Sequence, residues 1–329
     1  MHAVSRPRTR RRRYRYRLRR LTPVAAAVVL AGSAGAWVGS HQPSASLAAA
    51  SRGPVAVAKP AVAHTPAHRT APERLLTAGP LLSHTFSPGL LAASAIVVDA
   101  GSGRVLWELH AHERRPVAST TKIMTALLAL KKLRPHDVVT VDPSVPRVPL
   151  VREGLRAGER VQAWKLFYSM LLYSGNDDAL ALAIATAGDK WAFVREMNAE
   201  AQRLGLRDTH FVSPSGVVDR GNYSSAWDLA ALTRVALRNQ RFAQIVRTKV
   251  EHVPWSPPTN SKIYINNNRL LTEYRGANGV KTGYTHRSGP CLVASATRHG
   301  VTLIAVVLDS GNMYSDAARL LNLGFSALS

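Results

Sequence analysis

Ser119-Thr120-Thr121-Lys122 places a hydroxyl and an amine three residues apart, at the head of the apolar run Ile123-Met124-Thr125-Ala126-Leu127-Leu128-Ala129-Leu130. Residues i and i+3 of a helix share a face, so the lysine can act as a base one turn from the serine. A serine hydroxyl is a poor nucleophile at its free pKa and needs such a neighbour. Two further groups follow in order. Ser174-Gly175-Asn176 lies 55 residues after Ser119, and Lys281-Thr282-Gly283 lies 107 residues after Ser174. Each is weak alone: Ser310-Gly311-Asn312 repeats the Ser-x-Asn pattern by chance. Order and setting give the others their weight, because the first opens a helix, the second ends one and the third lies on a strand.

The elements that must carry these groups read as follows. Ala95–Asp99 and Arg104–Leu109 flank Gly101-Ser102-Gly103, the pattern of a hairpin. Helices are expected over Thr120–Leu133, Val161–Tyr173, Asp177–Ala187, Lys190–Leu204 and Ala226–Asn239, the fourth stopped by Gly205. Trp164, Phe167, Met170 and Leu171 recur at helical spacing and belong to the core. Strands are expected over Lys262–Ile265, Gly279–Tyr284, Cys291–Thr297 and Val301–Leu308, then a helix over Met313–Leu323. Strands at both ends with helices between them predict an α+β fold, an antiparallel sheet beside a helical lobe.

The 329 residues carry a net charge of +23, which invites a nucleic-acid or membrane partner. Ten arginines between Arg6 and Arg20 supply much of it, with no acid among them, and an apolar stretch, Leu21–Val38, comes next. A basic block before an apolar one is an export signal. A cleaved signal peptide is expected ahead of a retained anchor, with Ala48-Ala49-Ala50 as a possible cleavage site. Residues 1–38 are therefore the basic n-region and signal or anchor. Residues 39–86 are an Ala/Pro/Ser-rich linker, and 87–329 the folded domain. No nucleic acid is expected, membrane contact is confined to the N-terminal segment if uncleaved, and the protein is placed at the outer face of the cytoplasmic membrane or in the wall space. The single cysteine, Cys291, precludes an internal disulfide and reads as a small core residue. No His/Cys cluster has zinc-ligand spacing, so neither metal nor cofactor is expected.

The chain resembles the serine-type D-alanyl-D-alanine carboxypeptidases, the low-molecular-mass penicillin-binding proteins. The likeness spans the three groups and their surroundings: Ser174-Gly175-Asn176-Asp177-Asp178-Ala179, Thr209-His210-Phe211-Val212-Ser213-Pro214-Ser215-Gly216 and Gly279-Val280-Lys281-Thr282-Gly283-Tyr284-Thr285. It implies a β-lactamase/transpeptidase-like fold with a sheet of about five strands flanked by N- and C-terminal helices, plus an all-helical lobe. It implies removal of the terminal D-alanine from peptidoglycan stem peptides through an acyl-enzyme, and acylation by β-lactams. Ser119 would attack the carbonyl and Lys122 take its proton, which requires a neutral lysine. Ser174 would relay a proton to the leaving amine, and Asn176 would hold Lys122 or a substrate peptide group. Lys281 and Thr282 suit the terminal carboxylate, and Gly283 leaves room for an extended substrate. The N–H groups of Ser119 and Tyr284 would form the oxyanion hole.

The chain departs from the family pattern at Thr120, usually Leu, and Asp178, usually Ala. Ser213 stands where Asn is usual, Val217 where Leu is, and Arg287-Ser288-Gly289 where smaller residues line the mouth. The last change is expected to bear on substrate preference, and a D,D-endopeptidase acting on cross-links is the alternative, left open because the β-rich C-terminal domain of many relatives is not expected here. A β-lactamase is disfavoured because the Glu-x-x-Leu-Asn base arrangement is absent after Ser174. A non-catalytic wall-binding protein would not require Ser119, Lys122 and Ser174. The chain ends after its last helix, so any membrane attachment is expected at the N-terminus.

Overall fold

A computed structural model describes residues 75–77, 89–217 and 220–329. The basic and apolar segments of residues 1–38, and the expected linker apart from residues 75–77, lie outside the described residues. Strands β1 (Ala92–Asp99) and β2 (Val105–Leu109) form the expected hairpin. A 3-10 turn (Ala118–Thr121) leads into helix α1 (Lys122–Lys132). Short strands β3 (Val138–Thr140) and β4 (Arg160–Gln162) pair with each other. Helix α2 (Ala163–Tyr168) runs into a π-helical turn (Ser169–Tyr173), followed by α3 (Asn176–Ala187), α4 (Lys190–Arg203), α5 (Ala226–Leu237) and α6 (Gln240–Arg247). Strands β5 (Val250–Pro254) and β6 (Ser261–Ile265) make a second hairpin, and α7 (Leu270–Glu273) precedes β7 (Ala277–Thr285). Then come β8 (Gly289–Arg298), β9 (Val301–Ser310) and α8 (Met313–Leu328).

The main sheet has the order β2-β1-β9-β8-β7 and is antiparallel throughout. Strand periodicity sends alternate residues to opposite faces. On β1, Ile96 and Val98 join the core shared with the helices, while Ala95 and Val97 join a second core under α8. On β9 the same division separates Ile304 and Val306 from Leu303, Ala305 and Val307. The α8 face carries alanines, which lets the helix approach closely; a Cβ at Gly324 would fall 2.7 Å from Leu303 Cδ1. Strand β7 pairs with β8 alone, so one of its edges faces the helical lobe.

Three expectations are corrected. The run Val161–Tyr173 is not one helix: Val161 pairs with Val139 in β4, and the last turn widens to π geometry at Ser169. Regular α-helix begins at Lys122, since Ser119 and Thr120 lie in the 3-10 turn. The linker is not free of the domain throughout. Leu75 and Leu76 are buried, and Arg234 of α5 donates to the carbonyls of Leu75, Ala100 and Gly101. An apolar Leu-Leu pair at the edge of a Pro-rich stretch gains more from the core than from water. Among the described residues no helix is long and apolar enough to cross a membrane.

Candidate active site

The backbone ahead of Ser119 is unusual. Ala118 is buried with φ +46°, in the left-handed region that costs an alanine on the order of 1 kcal/mol. The surroundings hold it there. The Thr120 hydroxyl donates to Val117 O at 2.7 Å, and the Gly216 backbone lies hard against Ala118 O. Helix α1 has no side-chain cap, so the Ser119 hydroxyl is not spent on its helix. It lies 2.9 Å from Lys122 Nζ.

Lys122 is fully buried. Its amine also donates to Asn176 Oδ1 at 2.8 Å and to the Ser215 carbonyl at 3.1 Å. Neither oxygen can donate in return. An ammonium donates to all three oxygens; once neutral, the amine keeps both carbonyl acceptors with its two hydrogens and has its lone pair free for the Ser119 hydroxyl. Burial, followed by the nearby Lys281, drives the lysine pKa well below its ordinary value; Asp178 and Asp177 oppose the shift.

Asn176, at the start of α3, accepts from Lys122 at Oδ1 and donates from Nδ2 to Pro149 O at 3.0 Å. It holds Lys122 and keeps a second N–H and a second lone pair for a substrate peptide group. Ser174 closes the π-helical turn with φ +79°, and its N–H donates to Ser169 O at 2.9 Å. It is buried, two residues from the Asn176 that holds Lys122.

Strand β7 forms the opposite wall. Gly283 abuts the nucleophile's turn so closely that a Cβ would stand 3.0 Å from Ser119 N and 3.1 Å from Val117 O. Lys281 is buried, its ammonium donates to Thr282 O at 3.1 Å, and burial pushes its pKa down to about 7. Thr282 is half-buried, and the Tyr284 side chain stands 61% exposed, consistent with a role for its backbone alone. Two clefts flank the site. One runs by Asn176, Ser213, Ser215 and Lys190; the other runs by Ala118, Thr285, Arg220 and Arg287.

All three sequence groups are thus brought to one place. Sequence reasoning missed the acceptor at Ser215 O and the anchor at Pro149 O, because any residue can offer a carbonyl. Ser213, in place of the usual Asn, accepts from Gly216 N and from Asn222 Nδ2, holding the loop that carries Ser215. Cys291 is buried and its thiol is pushed up to about 11, as befits an inert core residue. Among the described residues no His/Cys/Asp/Glu group is arranged to hold a metal.

The arrangement is that of a serine peptidase site, with a buried lysine amine 2.9 Å from the serine hydroxyl. Residues 83–312 match the family described as D-alanyl-D-alanine carboxypeptidase, peptidase S11, and the chain belongs to that family. It is 32% identical to D-alanyl-D-alanine carboxypeptidase DacF of Bacillus subtilis over 71% of this chain and 62% of that protein, so it spans less than two thirds of that relative's length. It is 32% identical to the D-alanyl-D-alanine endopeptidase of Escherichia coli, over 71% of this chain and 77% of the relative. The crystal structure of the Streptomyces K15 DD-transpeptidase superposes with a TM-score of 0.70 at 33% identity, covering 73% of this chain and 99% of that one. The fold is that of the serine D,D-peptidases.

Proposed function

We propose that this chain removes the terminal D-alanine of peptidoglycan stem peptides and is acylated by β-lactams at Ser119. The observation that carries the proposal is the Lys122 amine, whose two acceptor-only partners leave its lone pair for the Ser119 hydroxyl. Ser119 Oγ attacks the carbonyl between the two D-alanines as Lys122 takes its proton. The developing oxyanion receives the N–H groups of Ser119 and Tyr284. Ser174 passes a proton to the leaving amine, D-alanine departs, and water hydrolyses the ester. Lys281 and Thr282 receive the terminal carboxylate. Lys281 near neutrality is half charged, and a docked carboxylate raises its proton affinity, so substrate binding draws the proton in.

The N-terminal basic and apolar segments export the chain, and residues 39–86 connect them to the domain. A second reading, cleavage of cross-links, is favoured by the cleft that runs past Ala118 to Arg220 and Arg287, where a neighbouring strand could lie. The test uses purified protein with a fluorescent penicillin and with a pentapeptide ending in D-Ala-D-Ala. Wild type becomes labelled and releases D-alanine; Ser119→Ala does neither. Labelling of Ser119→Ala at the wild-type rate refutes the assignment. Digestion of cross-linked muropeptides separates the two readings.

A further inference from the structure

Behind the Ser174 turn lies a buried cluster that the reaction does not use. The Ser169 hydroxyl stands 2.5 Å from Asp178 Oδ2 and 2.8 Å from Glu153 Oε2. Glu153 Oε1 is paired with Lys262 of β6, and the Glu153 side chain is 4% exposed. Asp178 is fully buried and its Oδ1 has no hydrogen-bond partner. The buried Tyr264 hydroxyl borders Glu153 and Ser169 in the same field.

One hydroxyl proton cannot serve two carboxylates. Ser169 donates to one oxygen, and the other must bring its own proton, or two lone pairs would face each other at hydrogen-bond distance. The charges around the cluster say which carboxyl holds it. Glu153 has Lys262 as counter-ion. Asp177 lies in a cradle of backbone N–H groups donated by Glu153, Gly154 and Leu155. Asp178 has neither. Burial, Asp177 and Glu153 all favour its neutral form, against weaker pulls from the Ser169 hydrogen bond and from Lys262. Lys122 also faces this side, within the field of Asp178 and Asp177.

The cluster also touches the catalytic turn. A Cβ at Gly175 would fall 1.9 Å from Asp178 Oδ2, so the carboxyl lies directly beneath the Ser174-Gly175 backbone. Ser169 grips the same turn through its carbonyl, which accepts from Ser174 N. We propose that Glu153, Ser169 and Asp178 share one buried proton, and that neutral Asp178 is a positioning residue which props the Ser174 turn without placing an anion beside Lys122. The proton sits on Asp178, which donates to Ser169 Oγ; Ser169 donates to Glu153, whose charge Lys262 answers. An ionised Asp178 would draw a proton onto Lys122 and disable the base. The positioning role rests on the function proposed above; the shared proton does not.

Infrared spectroscopy of the full chain at pH 7 tests the proton without substrate. Wild type is expected to show the C=O stretch of a protonated carboxylic acid, and Asp178→Asn to lack it. Penicillin acylation tests the positioning. Asp178→Ala is expected to slow it about tenfold, the upper worth of one buried hydrogen bond. Asp178→Asn, whose amide can still donate to Ser169, is expected to recover most of that loss. Absence of the band in wild type, its persistence in Asp178→Asn, or equal slowing in both variants overturns the proposal. Should Asp178→Ala not fold, the infrared band and the rate of Asp178→Asn decide. A wild-type protein that shows the band yet resists acylation refutes the proposed function and leaves the shared proton standing.

Discussion

Replacing Lys281 with methionine removes an ammonium while keeping the length of its stem. Lys281 is buried, and that burial lowers its pKa from 10.5 to about 7. Between those values the unfolded chain holds a proton that the folded chain has released. Stability therefore rises with pH across this window and carries the full burial cost below about pH 7. At about 1.4 kcal/mol per tenfold change in proton affinity, that cost approaches about 5 kcal/mol as an upper bound. Lys281→Met is expected to be more stable than wild type at pH 6, by about 2 kcal/mol or more, and the gap is expected to close toward pH 10. In thermal unfolding that is a rise of roughly 5 °C at pH 6. Penicillin acylation should move the other way. The loss of a charge-assisted hydrogen bond to the carboxylate is worth about 1.5–3 kcal/mol, a slowing of roughly 10- to 100-fold. Removing the cation that helps depress Lys122 should also shift the acid limb of the acylation profile to higher pH. A variant less stable than wild type at pH 6, or a stability difference independent of pH, refutes the argument that burial of this charge is what the site costs the fold.

Two further outcomes follow from distances. Asn176→Asp sets a carboxylate where Oδ1 lies 2.8 Å from Lys122, which raises the lysine pKa and should move the acid limb of acylation up by about one pH unit or more; an unmoved limb means that Lys122 is not the base. Gly216→Ala adds a Cβ 2.0 Å from Ala118 O and 2.4 Å from Thr121 Oγ1 at φ +75°. It should cost about 3 kcal/mol or more in thermal unfolding, and a melting temperature within a degree of wild type would contradict the close approach.

What was legible in the sequence was whatever side chains announce locally. Ser119, Lys122, Ser174, Asn176 and Lys281 stand in a fixed order, and β9 is a β-branched run between turn residues. Illegible was whatever depends on backbone brought from afar. The third partner of Lys122 is a carbonyl 93 residues away. The strained φ of Ala118 is imposed by Gly216, which no local pattern around Ala118 foretells. Val161 sits in a helical apolar pattern, yet pairing with Val139 makes it a strand, since tertiary partners override short periodicities. The first strand of the β5–β6 hairpin, Val250–Pro254, was missed because a proline and a histidine interrupt it and only Val253 is buried. Asp178 was visible as a departure from the family pattern, but its partner Ser169 is nine residues back, in a turn whose π geometry the sequence does not disclose.

Strand β9 lends no residue to the site, yet it lies between β1 and β8 at the centre of the sheet. Until it inserts, β1–β2 and β7–β8 are two separate ribbons, each marginal on its own. The wall that carries Lys281 and Gly283 then has no fixed distance from the rest of the sheet. A strand with no residue in the site thus decides where the carboxylate-binding wall stands relative to the rest of the sheet.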